Sequence, residues 1–217
     1  MENPTTSTQQ RLRITFAKTS AMRYTSHLDL HRAWERTFRR AGLPLAYSQG
    51  FNPHPRLNLA SALPLGFTSQ AEVLDAWLEE ERSLEEIEEA LTRSLPPGIR
   101  VLKTDEVDLK APAVQTEVKA AEYVITLLET ETGLGDRVTA LLGRESITRR
   151  RRDKDYDLRS LIESLETMGP DEQGNQRLLA CLAAREGATG RPEEVLDELG
   201  VDPLSTRIER TGLIFGS

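Results

Sequence analysis

The stretch RLRITFAKTSAMRYTSHLDLHRAWERTFRRAG, Arg11–Gly42, changes its hydrophobic period from two to nearly four, and that change sets the fold. In RLRITFAKT (Arg11–Thr19) apolar and polar residues alternate, which places Leu12, Ile14 and Phe16 on one side of a strand. Ser26 then opens a helix. Its hydroxyl can cap the first turn, and Asp29 stands where a carboxylate can reach back to the cap. Gly42 closes the helix at the place glycine favours. On a helical wheel Leu30, Trp34, Phe38 and Ala41 form one apolar stripe, with Ala33 and Thr37 beside it. Arg32, Arg36, Arg39 and Arg40 gather on the opposite face, giving an amphipathic helix with a basic exterior.

Further along, RLNLASALPLG (Arg56–Gly66) reads as a strand running into a turn. EVLDAWLEE (Glu72–Glu80) is the next strand, with Val73, Asp75 and Trp77 on one side and Leu74, Ala76 and Leu78 on the other. SLEEIEEALTRSL (Ser83–Leu95) is a capped helix with Leu84, Ile87, Ala90 and Leu91 inward, stopped by Pro96, Pro97 and Gly98. IRVLKTDEV (Ile99–Val107) supplies a fourth strand. The order β-α-β-β-α-β over residues 11–108 is that of a ferredoxin-like unit. Residues 1–10 are expected to be a disordered tail and residues 109–119 a linker. Over residues 120–217 the pattern recurs, with AEYVITLLE, RLLACLAAR and TRIERTGLIF as strands and GDRVTALLG and RPEEVLDELG as helices. A further strand is expected around SITRRRRDKDYDL, and SLIESLETM (Ser160–Met168) is an ambiguous addition. The fold class expected is α+β, built of tandem ferredoxin-like units.

A chain of 217 residues can bury one large core or two small ones. The sequence has no apolar run long enough to span a bilayer. Its start, MENPTTSTQQ, lacks the pattern of a secretory signal, so the expected location is the cytoplasm. The single cysteine, Cys181, excludes an internal disulfide framework and an iron–sulfur cluster held by this chain's thiolates alone. Neither GxxxxGK[ST] nor a GxGxxG after a strand is present, so no nucleotide-binding fold is indicated. The net charge of −7 hides a segregation. Between Arg11 and Arg56 nine Arg or Lys face two acids, whereas between Glu72 and Asp108 twelve acids face four bases. A basic face for a polyanion is compatible with an acidic whole. Eight of the eleven aromatic residues precede residue 78, and the function is expected in that first third.

YSQGFNPHPRLNLASALPLG (Tyr47–Gly66) is the most furnished loop. Pro53 and Pro55 stiffen it, and Gly50 permits a tight turn beside Phe51. Three chemistries fit the residues around it. His27 and His31 stand four apart on one helix edge and His54 follows on the loop, a spacing that can place imidazoles on one metal ion. No cysteine cluster or second carboxylate accompanies them, and no metal or other cofactor is expected. His27 alone, beside a basic helix, is the equipment of a metal-independent ribonuclease. The third reading is binding without chemistry. Arg32, Arg36, Arg39, Arg40 and Arg56 hold phosphates, while Tyr47, Ser48, Gly50, Phe51, Asn52 and His54 form a recognition loop offering flat surfaces to unstacked bases. Phe51 could equally plug the core. The four arginines of TRRRRDKDYDLR require an edge, hairpin tip or loop, either solvated or a second phosphate contact.

RYTSHLDLHRAWERTFRRAGLPLAYSQGFNPHPRLNLASALPLGFTSQAE (Arg23–Glu72) resembles the signature block of the radical SAM-linked protein family, a domain of unknown function. The likeness is carried by SHLDL, RRAGLP, SxGFNPHP and PLGxxSxxE in that order. By position it covers Ser26, His27, Asp29, Arg39, Arg40, Ser48, Gly50, Phe51, Pro53, Pro55, Pro64, Gly66, Ser69 and Glu72, and leaves His31 outside. Members stand alone or fused behind a radical SAM protein. This chain has no CxxxCxxC, so the resemblance implies a standalone, non-catalytic accessory whose partner is a radical SAM protein. RNA or an RNA-bearing substrate is the expected ligand. An RNA-processing enzyme using His27 and a protein–protein adaptor are the alternatives.

Overall fold

In the computed structural model, which describes residues 10–216, the Ser26 hydroxyl accepts from the Asp29 backbone N–H at 3.2 Å and starts α1 (His27–Ala41). The Asp29 carboxylate accepts the Ser26 hydroxyl at 2.7 Å, which takes up the oxygen expected to reach the backbone. Gly42 ends the helix in the left-handed region at φ 67°, and the next N–H, of Leu43, reaches back to the Phe38 carbonyl. Leu30, Ala33, Trp34, Thr37 and Phe38 are the buried face. Trp34 meets Phe16 edge-to-face at 4.9 Å.

Before α1 runs β1 (Gln10–Lys18). After it come β2 (Leu57–Leu59), β3 (Thr68–Leu78), α2 (Leu84–Ser94), β4 (Ile99–Val107) and the short α3 (Val114–Glu117). These strands pair antiparallel in the order β4-β1-β3-β2. β2 is shorter than RLNLASALPLG suggests, because the segment bends away after Leu59 towards Pro64 and Gly66. There the Gly66 N–H donates to the Arg23 carbonyl, and Arg23 Nε donates back to the Gly66 carbonyl at 2.7 Å. Residues 1–9 of the expected tail lie outside the described residues. Gln10 does not belong to a tail: it is the first residue of β1 and 2% exposed. Its amide donates to the Arg82 carbonyl and to Glu106, and accepts from the Arg82 N–H, so burial leaves it satisfied.

Alternation gives this sheet two unlike faces. Leu12, Ile14, Phe16, Leu74, Ala76 and Leu78 pack with α1 and α2 around Trp34, Phe38, Ile87 and Leu91. The other face carries Arg11, Arg13, Asp75, Trp77 and Asn58, since Arg11 stands opposite Trp77 while Arg13 and Asn58 stand opposite Asp75.

The chain divides after Glu117 into a second unit beginning at Val118. The segment expected as a linker therefore contains α3 and the start of β5 (Val118–Leu127). There follow α4 (Leu134–Leu142), β6 (Thr148–Arg151), β7 (Lys154–Asp157), β8 (Ile162–Met168), β9 (Arg177–Arg185), β10 (Ala188–Thr189), α5 (Pro192–Leu199) and β11 (Thr206–Phe215). Antiparallel pairing gives β11-β5-β9-β8, with β10 a short hairpin return on the end of β9. The ambiguous SLIESLETM is β8. A bulge between Ile162 and Ser164 interrupts its alternation, which is why no single period fits it. β6 and β7 form a separate two-stranded hairpin. The whole is an α+β fold.

Candidate functional site

The outer face of α1 carries four arginines in unequal circumstances. Arg32 is 3.5 Å from the Asp29 carboxylate at an exposed position, a weak pair. Arg40 Nη2 donates to the Ser94 carbonyl at 2.5 Å, where the end of α2 leaves that carbonyl without an intrahelical donor. Arg36 and Arg39 are exposed and make no side-chain hydrogen bond or ion pair among the described residues. The neighbouring carboxylate of Glu35 is occupied, 3.1 Å from His31 Nδ1. Two cations of this face thus have no ion-pair partner among the described residues.

The three histidines do not converge. His31 Nε2 lies 3.1 Å from the Leu57 carbonyl, so with Glu35 on its other nitrogen it ties α1 to β2. His27 is half-buried at the first position of α1, and His54 is exposed on the loop. Among the described residues no group of three or more His, Cys, Asp or Glu could hold an ion, so His27, His31 and His54 are not one ligand set.

The loop expected to serve recognition is a closed hairpin. Tyr47 and Pro55 form a bridge, the Ser48 N–H donates to the His54 carbonyl at 2.8 Å, and the His54 N–H donates to Ser48 Oγ at 3.0 Å. At its tip Gly50 adopts φ 145°, accessible to glycine alone without strain. Phe51 does not plug the core: it is 101% exposed, whereas Trp34 and Phe38 are the aromatic rings of the core that α1 contributes. Tyr47 and Asn52 are exposed as well. Tyr47, Arg39 and Pro55 share a cleft of about 310 Å³ with Glu35 and Glu79. Arg56 does not join the arginines of α1. It stands opposite Trp77 on the sheet face turned away from α1 and α2, with its guanidinium 4.6 Å from the indole centroid, and Arg11 lies 4.7 Å from the same ring.

Beneath Trp77 is a buried charge network that the sequence did not disclose. Asp75 accepts from Arg11 Nε and Nη2 and from Arg13 Nε and Nη2. The remaining Arg11 donors reach the carbonyls of Ala111 and Pro112, both at 2.6 Å. Arg13 also reaches Glu117 at 2.7 Å, and these bonds, that to Asp75 foremost, raise its pKa above the ordinary guanidinium value. Ser69 and Glu72 of the resemblance block are also buried and belong to the interior rather than to a surface site.

The arginines of β6 split by alternation. Arg149 pairs with Asp197 and Glu198, and Arg151 grips Glu194 with one nitrogen 2.7 Å from both oxygens while stacking on Tyr156. Arg150 stays exposed, 3.8 and 3.9 Å from Asp153 and Asp155. The hairpin is a clasp on α5, and two of its four arginines are spent there.

An α+β chain with an uncompensated basic helix beside a rigid, aromatic-tipped loop matches one described family. Residues 11–192 match "Uncharacterized protein conserved in bacteria (DUF2344)", and the chain belongs to that family, a domain of unknown function often associated with radical SAM proteins. No curated protein matches the chain. Among solved structures it is similar to a chain of a Cbf5-Nop10-Gar1 complex (12% identity, TM-score 0.49, covering 93% of this chain and 48% of that one). It is also similar to a chain of an H/ACA RNP bound to a substrate RNA containing 2'-deoxyuridine (10%, 0.40, 84% and 42%). The small subunit of acetolactate synthase from Thermotoga maritima is a third (13%, 0.25, 95% and 95%). The chain spans less than half the length of the first two. All three lie below a TM-score of 0.5, so they say nothing of what this chain binds. Among the described residues no helix is long and apolar enough to cross a membrane.

Proposed function

We propose that this chain is a non-catalytic, cytoplasmic accessory of a radical SAM protein and that it binds single-stranded RNA, or a substrate bearing it, across the outer face of α1 and the 47–56 loop. The observation that carries this reading is the pair Arg36 and Arg39, exposed and in no ion pair among the described residues, with Arg39 sharing a cleft with Tyr47 and Pro55 of the loop whose tip bears the exposed ring of Phe51. Cations that no protein acid neutralises suit phosphates, and a bare aromatic ring suits an unstacked base. The loop is already closed by its own hydrogen bonds, which lowers the ordering cost of binding. The strand orders β4-β1-β3-β2 and β11-β5-β9-β8 support reading each unit as ferredoxin-like, with β6 and β7 inserted in the second. Family membership supports the radical SAM partner.

Affinity for short single-stranded RNA, measured across a salt series, is expected to fall with a slope of about 0.7 per phosphate neutralised. Arg36→Ala/Arg39→Ala should flatten that slope by about 1.4, two phosphates' worth. An unchanged slope sinks the helix-face reading. RNA cleaved without added metal, and protected in His27→Ala, would replace it with the ribonuclease alternative. A radical SAM protein retained from nuclease-treated lysate, with no RNA affinity at all, would leave an adaptor.

A further inference from the structure

On the sheet face of the first unit turned away from α1 and α2 a second cleft, of about 360 Å³, opens on the far side of the same loop. Pro55 borders both clefts. The floor of this one is Trp77, 5% exposed, beside the guanidinium of Arg56. One wall is apolar, made of Leu109, Ala111 and Ala113. That wall is anchored, because Arg11 holds the carbonyls of Ala111 and Pro112. The other wall is polar: Ser48, His54 and Asn58.

Asn58, Trp77 and Ser48 are unusual in what they leave unused. The Asn58 side chain is half-buried and makes no hydrogen bond among the described residues, although an amide has two donors and an acceptor to satisfy. The Trp77 indole N–H is buried and equally without a partner there. The Ser48 hydroxyl accepts from the His54 N–H and keeps its own proton to give. The His54 imidazole is exposed at the rim. The volume lies at the lower end of the range of about 300–1,000 Å³ usual for small-ligand pockets. It suits one flat, polar-edged group with a charged appendage and excludes a duplex.

We infer that this cleft is a mononucleotide pocket. A nucleobase lies against the apolar wall with its hydrogen-bonding edge read by the Asn58 amide, and its phosphate meets Arg56, Ser48 and His54. An amide offers a donor and an acceptor side by side, the arrangement that pairs with a base edge. The hydroxyl, imidazole and guanidinium all present protons to phosphate oxygens. In its RNA form the inference deepens the reading above, since one splayed nucleotide of a bound strand would enter here. The pocket itself does not require that reading, because a free nucleotide has the same chemistry.

Each of the four ribonucleoside 5′-monophosphates, titrated calorimetrically into the full chain, tests the pocket. One of them is expected to bind, with affinity reduced about 10-fold or more in Asn58→Ala, as loss of a paired amide contact implies. His54→Ala, at an exposed side chain, is a second variant that leaves the fold undisturbed and is expected to weaken the same nucleotide. Neither effect should appear in Arg36→Ala/Arg39→Ala. If no mononucleotide binds while single-stranded RNA does, the pocket is wrong and the helix-face reading stands. If a mononucleotide binds and RNA does not, the pocket stands and the helix-face reading falls. Binding of a mononucleotide that is indifferent to both Asn58→Ala and His54→Ala also overturns the pocket.

Discussion

Arg11 of β1 and Asp75 of β3 meet diagonally across the strand pair, 1% and 0% exposed, through both Nε and Nη2 of the guanidinium. Arg13 closes on the same carboxylate from the second nitrogen pair. The carboxylate is therefore shared by two cations inside the sheet face. The remaining donors of Arg11 are taken by carbonyls, so the burial of the Arg11 and Asp75 charges is accompanied by full hydrogen bonding.

Removing the acid strands the buried Arg11 and leaves Arg13 with Glu117 alone. Asp75→Asn is expected to destabilise the first unit by about 3–5 kcal/mol, the cost of an uncompensated buried charge. Urea unfolding read by tryptophan fluorescence checks it. A loss under about 1 kcal/mol would mean that water reaches the pair.

Burial holds the Glu193 carboxyl above its ordinary pKa, and Oε2 has no hydrogen-bond partner among the described residues. An acid that binds its proton more tightly folded than unfolded stabilises the fold when protonated and costs stability when ionised. Glu193→Gln is therefore expected to unfold at higher urea than the parent at pH 7. The gap should close as pH falls through the raised value toward about 4.3, where the parent is itself neutral. A gap that stays constant over that range removes the ionisation account.

The alternation in β6 separates two neighbouring arginines. Arg151→Ala, losing Glu194 and the face of Tyr156, is expected to cost about 1–2 kcal/mol. Arg150→Ala should stay within about 0.5 kcal/mol. Thermal melts of the two variants side by side decide, and equal losses would dissolve the clasp.

Phe51 touches nothing that holds the fold. Phe51→Ala is expected to leave stability within about 0.5 kcal/mol. The same change should weaken single-stranded RNA by about 1–3 kcal/mol if the ring stacks on a base. Filter binding against a duplex of the same sequence separates stacking from charge, because only the single strand should respond.

What the sequence disclosed was what neighbours decide. Ser26, Ser83 and Gly42 announce helix ends because a cap acts within four residues, and each acts where expected. The faces of β3 followed from alternation alone. The partner of Asp75 did not, since Arg11 is 64 residues away and only the strand register brings it there. Arg56 was grouped with the arginines of α1 by charge, yet register sets it opposite Trp77. Asn58 passed as an ordinary strand residue for the same reason. Its significance depends on a wall made by residues 109–113, which nothing near it in sequence foreshadows.

The two hydrogen bonds between Ser48 and His54, above the Tyr47–Pro55 bridge, seal the loop below its tip, and among the described residues Gln49 to Pro53 make no further hydrogen bond to the fold. The tip is therefore an interchangeable cap. Its length and chemistry can be rewritten, by selection or by grafting, without any core residue having to register the change.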